Sequence, residues 1–540
     1  MKKTSQYISL IILVLSLTNC SDFLDKTDPD TINSANFYYN QNDMEGALIS
    51  VYATTRGFYN EMFVATEMKS DNTTTTNIGG SGAYSNFCSH GVTSTDQHVK
   101  NIYNNLYFTI ARANLLLSHI DDKGILWKAQ TTDSISNEKA SLRAQAKFLR
   151  ALSNFYLVRL FGPIPVIDKP VKSKEESLTL IRQPVIDAYS LIISDLQEVA
   201  NSTVLPTFSG GTAKLGRVTN TAGAALLGKV YLTMAATLHT LYPNLPDSTQ
   251  NWYNEAIYYL NKSMNLNGVT VDQTTYKSNL TTQTLATTFG LANQGCDEII
   301  YEIMYSADAS NNSPFASYFQ PAQGLLTPLA AQSLNLGESN LYSEYELTGK
   351  SYTANDIRIS LIAGYNNNSV YYTKKYIDLT NTTYSANCWI ELRFADVFLM
   401  LAEAYEQTGQ TSLAKVYLNA VRTTHGKLKD YDTSITNATY SAKYPTLRDA
   451  IFHERRVELS FENQRWFDLL RQYPVTFVTD ANNHVTEIQA DAFVSHMQSI
   501  TSTIGGIANK YTNFNRNEIL LPIPYDEIST NHNFYQNPGY

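Results

Sequence analysis

Across most of the chain, apolar residues recur at intervals of three and four, the spacing of helices that each bury one face. The clearest stretch runs from Ala395 to Tyr405. Phe398, Leu401, Ala402 and Tyr405 share a face there, Gly409 breaks the helix, and Ala414, Leu418 and Val421 line the next one, Thr411 to Arg422. A looser pair lies upstream. Leu227, Gly228 and Tyr231 mark its first helix, and Ala256, Tyr259, Leu260 and Ser263 mark its second, with an insertion at Leu241–Gln250 that carries Pro243 and Pro246. Amphipathic helices are predicted at Ser141–Leu160 and from Pro184 to Ala200. Between these elements lie stretches rich in Thr, Asn and Ser, at 70–98, 268–294, 306–320 and 364–388; loops of that length inside a domain are usually functional or mobile. Near the end, Leu521-Pro522-Ile523-Pro524 cannot be helical, since proline lacks the amide proton a helix needs, and it should lie extended across the body. The predicted fold is mainly α: helical hairpins form a scaffold, and long irregular loops with a few short strands carry the ligand site.

The Phe398–Val421 segment resembles a tetratricopeptide repeat, a helical hairpin in which a small residue such as Ala402 allows the two helices to cross closely. Hairpins of that kind bury their faces by stacking on one another. The N-terminus carries a different signal. Lys2 and Lys3 precede a short apolar run, Ile8 to Leu17, too short to span a bilayer and placed where a secretory signal belongs. Leu17-Thr18-Asn19-Cys20 resembles a lipobox, which makes residues 1–19 a signal peptide and Cys20 the lipidated residue. Residues 20–40 then form an acidic tether; acidic residues just after such a cysteine resemble the signal for the outer face of the outer membrane. No other stretch is expected to approach a transmembrane helix.

Composition narrows the function. A net charge of −9 argues against nucleic acid, whose phosphates call for clustered Lys and Arg. Tyrosine is frequent, with 37 copies, and its flat face and hydroxyl suit stacking on sugars or peptides, although most of these tyrosines are expected within helices. Apart from Cys20, the cysteines are Cys88, Cys296 and Cys388: an odd number, far apart, giving neither a disulfide framework nor a zinc motif. No metal or other cofactor is expected.

Five segments in order resemble the SusD/RagB family of surface lipoproteins. They are Arg143–Ala151 running on to Arg159-Leu160-Phe161-Gly162-Pro163-Ile164-Pro165; Gly216-Arg217-Val218-Thr219 before Ala224–Leu232; the repeat introduced by Glu391-Leu392-Arg393; Glu454 to Arg471; and Leu521–Ile528 with the closing Gln536-Asn537-Pro538-Gly539-Tyr540. Asn463 departs from the glycine often found there. The resemblance implies an N-terminal SusD-like region at 41–270 and a C-terminal SusD/RagB region at 271–540, forming one compact unit. It also implies a non-enzymatic binder at the cell surface that passes a glycan to a SusC-like TonB-dependent outer-membrane transporter. A peptide ligand, as in RagB-type members, stays open, as do a surface glycan hydrolase and a scaffold that binds only protein.

In the fourth segment Arg455 and Glu458, Glu462 and Arg465, Arg465 and Asp468, and Asp468 and Arg471 are three apart, which on one helix sets opposite charges side by side. These carboxylates therefore read as structural. His453-Glu454 lacks the second histidine of a zinc-protease helix, and no nucleophile elbow or phosphate loop occurs. Family ligand contacts come from variable loops, so candidates rest on chemistry alone: aromatic faces for stacking, with polar neighbours for hydroxyls. The loop at 70–90 offers Asp71, Asn72, Tyr84 and Phe87; the loop at 311–320 offers Asn311, Phe315, Tyr318 and Phe319.

Overall fold

The computed structural model describes residues 37–74, 86–207, 216–243, 245, 247–266, 288–291, 294–315, 336–337, 356–358, 363–365, 371–376, 378, 385–500 and 511–540. Among the described residues, eight helices of 14 or more residues pack as four hairpins: α1 (Gln41–Ala65) with α2 (Gln97–His119), α3 (Thr132–Phe161) with α4 (Val185–Ala200), α5 (Asn220–Thr233) with α6 (Thr249–Leu266), and α7 (Phe394–Gln407) with α8 (Thr411–Thr424). Each hairpin also packs on the next, through α2 and α3, α4 and α5, and α6 and α7, so the row is continuous although α6 and α7 are far apart in sequence. The fold is thus mainly helical and tetratricopeptide-like, as the periodicity predicts. The buried residues of both halves join in one core. The 270/271 boundary itself lies outside the described residues.

Local chemistry starts and crosses these helices. Asn40 and Asp43 form a reciprocal capping box at the start of α1, and the Thr219 side chain accepts the Ala222 amide at the start of α5. Gly409 closes α7 with φ +76, a left-handed conformation that glycine adopts without strain. Gly228 lets α5 and α6 touch, because a Cβ there would lie 2.6 Å from Leu260 Cγ. Ala402 is fully buried in α7. Stacked tyrosine pairs recur in the last two hairpins, Tyr231 on Tyr259 at 5.8 Å and Tyr405 on Tyr417 at 5.5 Å. One expectation is corrected here. α5 continues through a π-helical turn at Met234–Leu238 to Leu241, and this Asn220–Leu241 helix is long and apolar enough to span a membrane; its apolar window is 94% buried, which makes it a core helix.

Strands are few and short. β1 (Thr73–Thr74), β3 (Leu336–Gly337), β5 (Tyr371–Thr373) and β4 (Ala363–Tyr365) form one antiparallel sheet in that spatial order. β2 (Ile299–Ile303) pairs with β6 (Trp389–Arg393), and β7 (Thr476–Thr479) pairs with β8 (Val485–Gln489). The Leu-Pro-Ile-Pro run is extended as expected. The Leu521 amide donates to Leu160 O at 2.8 Å, and the Gln536 side chain brackets both backbone groups of Ile523.

The charged segment differs from its single-helix reading. α9 (Leu447–Glu458) and α10 (Arg465–Gln472) are separated by a turn in which Phe461 and Asn463 have φ +63 and +61. The Glu462–Arg465 spacing crosses that turn and is not helical, and within the two helices the side chains of Arg455, Glu458 and Arg465 turn to other partners, whereas Asp468 and Arg471 pair at i,i+3, at 2.8 Å. Arg455 instead reaches Asp468 and, on α7, Asp396 at 3.0 Å, while Arg465 reaches Asp71. Asparagine is among the few non-glycine residues that tolerate the left-handed region, which accounts for Asn463 where a glycine is usual.

At the centre of this segment is Arg393, the last residue of β6. Its guanidinium holds Glu458 at 2.8 Å, Glu462 at 2.7 Å and Glu298 at 3.2 Å, and all four side chains are buried. Arg358 adds Glu454 at 2.6 Å and Glu458 at 2.9 Å, Arg422 meets Glu454 at 3.0 Å, and Lys375 pairs with Glu462. Burial alone would raise the Glu458 carboxyl, but His425, Arg393 and Arg358 hold it well below the usual carboxylate range. Glu67 is the contrary case. It accepts the Asn463 amide at 2.7 Å, but burial raises its carboxyl to about 8.

Two outcomes follow from this core. Arg393→Met removes a guanidinium shared by three buried carboxylates and should lower unfolding free energy by about 3–5 kcal/mol in chemical denaturation; an unchanged midpoint would contradict the network's role. Glu67 stays protonated in the fold up to about pH 8, whereas its ordinary value is 4.5. Its contribution to stability is therefore full below pH 4.5 and lost as pH rises through 8. Glu67→Gln should gain on the parent protein by a few kcal/mol, on the order expected from linkage, between pH 5 and 8.5. A pH-independent difference would show that Glu67 is ionised in the fold.

Candidate functional site

A cleft of about 210 Å³ opens where α1, the Gly216–Arg217 turn and β2 meet. Its polar lining is Tyr52, Thr55 and Arg56 from α1, Arg217 from the turn, and Glu302 from β2; Ile49, Ala53, Ile303 and Met304 supply apolar surface. The turn is built for closeness. Gly216 has φ +69, and a Cβ there would lie 2.0 Å from Met304 Cγ. Val218 is buried and its amide donates to Tyr52 Oη at 3.0 Å, while Thr219 caps α5. The motif thus holds Arg217 at the cleft between two fixed neighbours.

The groups in the cleft are held from behind. Tyr52 Oη donates to Gln145 Oε1 at 2.8 Å, and burial pushes its phenol well above its ordinary value despite the Val218 amide and Arg217, so it stays protonated. The Arg217 guanidinium lies 5.1 Å from the Tyr52 ring centre, within cation–π range. Arg56 donates to Asn311 Oδ1 at 2.6 Å, and Tyr305, from the same loop as Asn311, donates to Asn60 Oδ1 on α1 at 2.8 Å. These two bonds fasten the loop after β2 to α1. Glu302 is 3% exposed, its Oε1 has no hydrogen-bond partner among the described residues, and burial raises its carboxyl to about 7 against the Gly295 amide. The lining offers two guanidinium forks, one carboxyl and a threonine hydroxyl, a set that hydrogen-bonds a polyhydroxylated or charged ligand. A second cavity, near the π-helical turn, is more enclosed and mostly apolar, and its one charged lining residue, Arg159, is stacked on Phe155 and Phe467.

Of the residues chosen from sequence, Asn311 alone contacts this cleft's lining among the described residues, through Arg56. Four others lie in the interior, which corrects their expected place on loop surfaces. Asp71 is fully buried, with its carboxylate on Arg465 at 2.6 and 2.7 Å, Arg456 at 3.3 Å and His496 at 3.0 Å. Burial would raise it, but Arg456 and Arg465 hold it well below the carboxylate range. Asn72 accepts from Arg456 at 2.8 Å. Phe87 is fully buried, edge-on to His98. Phe315 packs on Trp389 at 4.8 Å and on Tyr376 at 5.7 Å. The cause is shared: the arginines of α9 and α10 need a carboxylate from outside their own segment, and the aromatic cluster around Trp389 draws in a neighbouring phenylalanine. Tyr84, Tyr318, Phe319 and Cys20 lie outside the described residues. Sequence reasoning missed Tyr52, Arg56, Arg217 and Glu302. Arg56 is the one basic residue of α1 and gives no signal. Arg217 stood inside a singled-out motif, which marked it without revealing its chemistry.

Comparison with known proteins agrees with this architecture. A family model described as "SusD family" matches residues 241–540, and one described as "Starch-binding associating with outer membrane" matches residues 22–232. A SusD-like protein of Formosa agariphila is 24% identical over 99% of each chain, and one of Bacteroides ovatus is 22% identical over 91% of this chain and 87% of that one. Among solved structures, a SusD superfamily protein of Bacteroides vulgatus superposes with a TM-score of 0.69 at 18% identity, covering 93% of this chain and all of that one. A "Laminarin binding SusD-like protein" superposes at 0.67 with 22% identity, over 93% and 100% of the two chains.

The turn that shapes the cleft gives a direct test. Gly216→Ala adds a Cβ in a left-handed conformation against Met304 and should cost about 1–3 kcal/mol in chemical denaturation. Adding Met304→Ala should recover part of the loss; a double variant no better than the sum of both single losses would contradict the contact.

Proposed function

The chain belongs to the SusD family, and from that premise we propose that it is a cell-surface lipoprotein that binds an oligosaccharide and delivers it to a SusC-like TonB-dependent outer-membrane transporter. The observation that carries the ligand class is the cleft beside α1. Its forked donors, single carboxyl and partly apolar floor match a sugar ring with its hydroxyls. The likeness to a laminarin-binding protein and the starch-binding description of the N-terminal family model support the same reading. Glu302 is the one carboxyl among the described lining residues, whereas glycoside cleavage ordinarily uses two carboxyl groups a few ångströms apart; this favours binding over hydrolysis. Tyr84, Tyr318 and Phe319 are proposed to add stacking faces, and lipidation of Cys20 to hold the body at the outer surface of the outer membrane, above its transporter.

Titration calorimetry of the full chain against a panel of polysaccharides and peptides tests the reading. Saccharide binding, with no new reducing ends after overnight incubation, is the expected result. Binding of peptides alone would favour the RagB-type alternative, and new reducing ends would establish a hydrolase. Tyr84→Ala or Tyr318→Ala should weaken saccharide binding by about tenfold, the order of a lost stacking face, with the melting temperature unchanged; unchanged affinity in both removes these tyrosines from the site. In cells, Cys20→Ala should release the protein from the outer-membrane fraction, and retention there would contradict the anchor.

A further inference from the structure

Charge in the cleft differs from that of the ion-paired arginines of the core. Most core guanidiniums are matched closely with carboxylates, among them Arg150 with Asp195 at 2.8 Å, Arg465 with Asp71 at 2.6 Å, Arg471 with Glu403 at 2.8 Å, and Arg393 with three glutamates, while Arg159 is stacked on aromatic rings and Arg182 donates to carbonyls. Arg56 and Arg217 line the same cleft, and among the described residues neither forms an ion pair with a carboxylate. Arg56 bonds a neutral amide, and Arg217 faces a protonated phenol. This occurs in a chain of net charge −9, in which carboxylates outnumber cations. Both arginines are half-buried, so their charges are less screened than on an open surface.

Two such forks facing one space recognise a planar carboxylate or a sulfate in a way that a neutral hydroxyl does not satisfy. Glu302, nine-tenths buried with Oε1 unpartnered among the described residues, supplies a group for a neighbouring hydroxyl. Because burial keeps its carboxyl partly protonated near neutrality, it adds less than a full negative charge beside an anionic ligand.

We propose that the cleft between α1 and β2 selects an acidic saccharide, with Arg56 and Arg217 holding a carboxylate or sulfate group on the sugar and Glu302 holding a hydroxyl beside it. This rests on the saccharide-binding function proposed above and goes further by naming the ligand's charge.

The test is calorimetry of the full chain with matched pairs of oligosaccharides: a uronate oligomer with its carboxyl-reduced form, and a sulfated oligomer with its desulfated form. At least one acidic member should bind ten times more tightly than its neutral partner, and the arm that shows it identifies carboxylate or sulfate. Raising NaCl from about 0.05 to 0.5 M should weaken the acidic member selectively. Arg56→Gln and Arg217→Gln should each lower its affinity about tenfold or more, the scale of a charged hydrogen bond, and weaken the neutral partner less, so that the preference for the acidic member shrinks. Arg56→Lys and Arg217→Lys, which keep the charge and spare the fold, should retain part of the preference. Equal affinity for acidic and neutral members in both pairs overturns the charge selection while leaving saccharide binding intact. A preference that survives both glutamine variants places the anion elsewhere and also overturns it. Binding of acidic peptides with no saccharide binding overturns both readings, as does a chain that binds no saccharide at all.

Discussion

Removing Glu298, Glu458 and Glu462 from water costs several kcal/mol each, and the Arg393 guanidinium among them is the main compensation. The rest of the C-terminal half is arranged around that requirement. β6 ends at Arg393 and leads directly into α7, so the cation is fixed where the scaffold's last hairpin begins. The turn between α9 and α10 is left-handed at two residues; Glu458 precedes it, Glu462 sits between the two left-handed residues, and both reach Arg393. The Glu458 carbonyl is bonded by Arg393 at 3.0 Å and by Lys375 at 2.9 Å, and Lys375 also takes the Ser460 carbonyl at 2.7 Å. The Asn463 amide goes to Glu67, just beyond the end of α1. The network therefore joins the first hairpin, the β2–β6 pair and the C-terminal helices. Buried ionic groups of this kind are poor sources of net stability, but losing one partner is costly, so they fix which segments meet.

The scaffold was legible because helical hairpins declare themselves locally. Phe398, Leu401, Ala402 and Tyr405 repeat at helical spacing, Gly409 ends the helix, and the structure follows. Gly228 and Leu260 are comparably readable, since a glycine within an apolar helix implies a close neighbour. The charged segment was not legible in the same way. Its residues stand three apart, but a turn interrupts the helix, and the partners of Arg465 and Glu458 come from residues distant in sequence. No pattern along the chain records a pairing that topology creates. Asp71 shows the same limit: in a polar stretch it reads as a solvent-facing acid, yet it is the counter-charge that Arg465 and Arg456 require.

The cleft was the least legible part, for a related reason. It takes one face of a helix, one turn and one strand, and none of the three carries a binding motif. Arg56 has meaning only beside Arg217, and Arg217 only beside Tyr52. Loop aromatics were a reasonable first choice for a sugar site, but Phe87 and Phe315 serve the core. The same scaffold explains why the cleft can be specific: Gln145 on α3, Asn311 after β2 and the Val218 amide hold its side chains from behind, so little order remains to be lost when a ligand enters.

We propose that the ligand enters the space between α1, the Gly216–Arg217 turn and β2. A crystal structure of the full chain soaked with the tightest-binding saccharide from calorimetry tests it most directly. A sugar residue within hydrogen-bond distance of Arg56, Arg217 and Glu302 is the expected result. A saccharide bound with that cleft empty would contradict it.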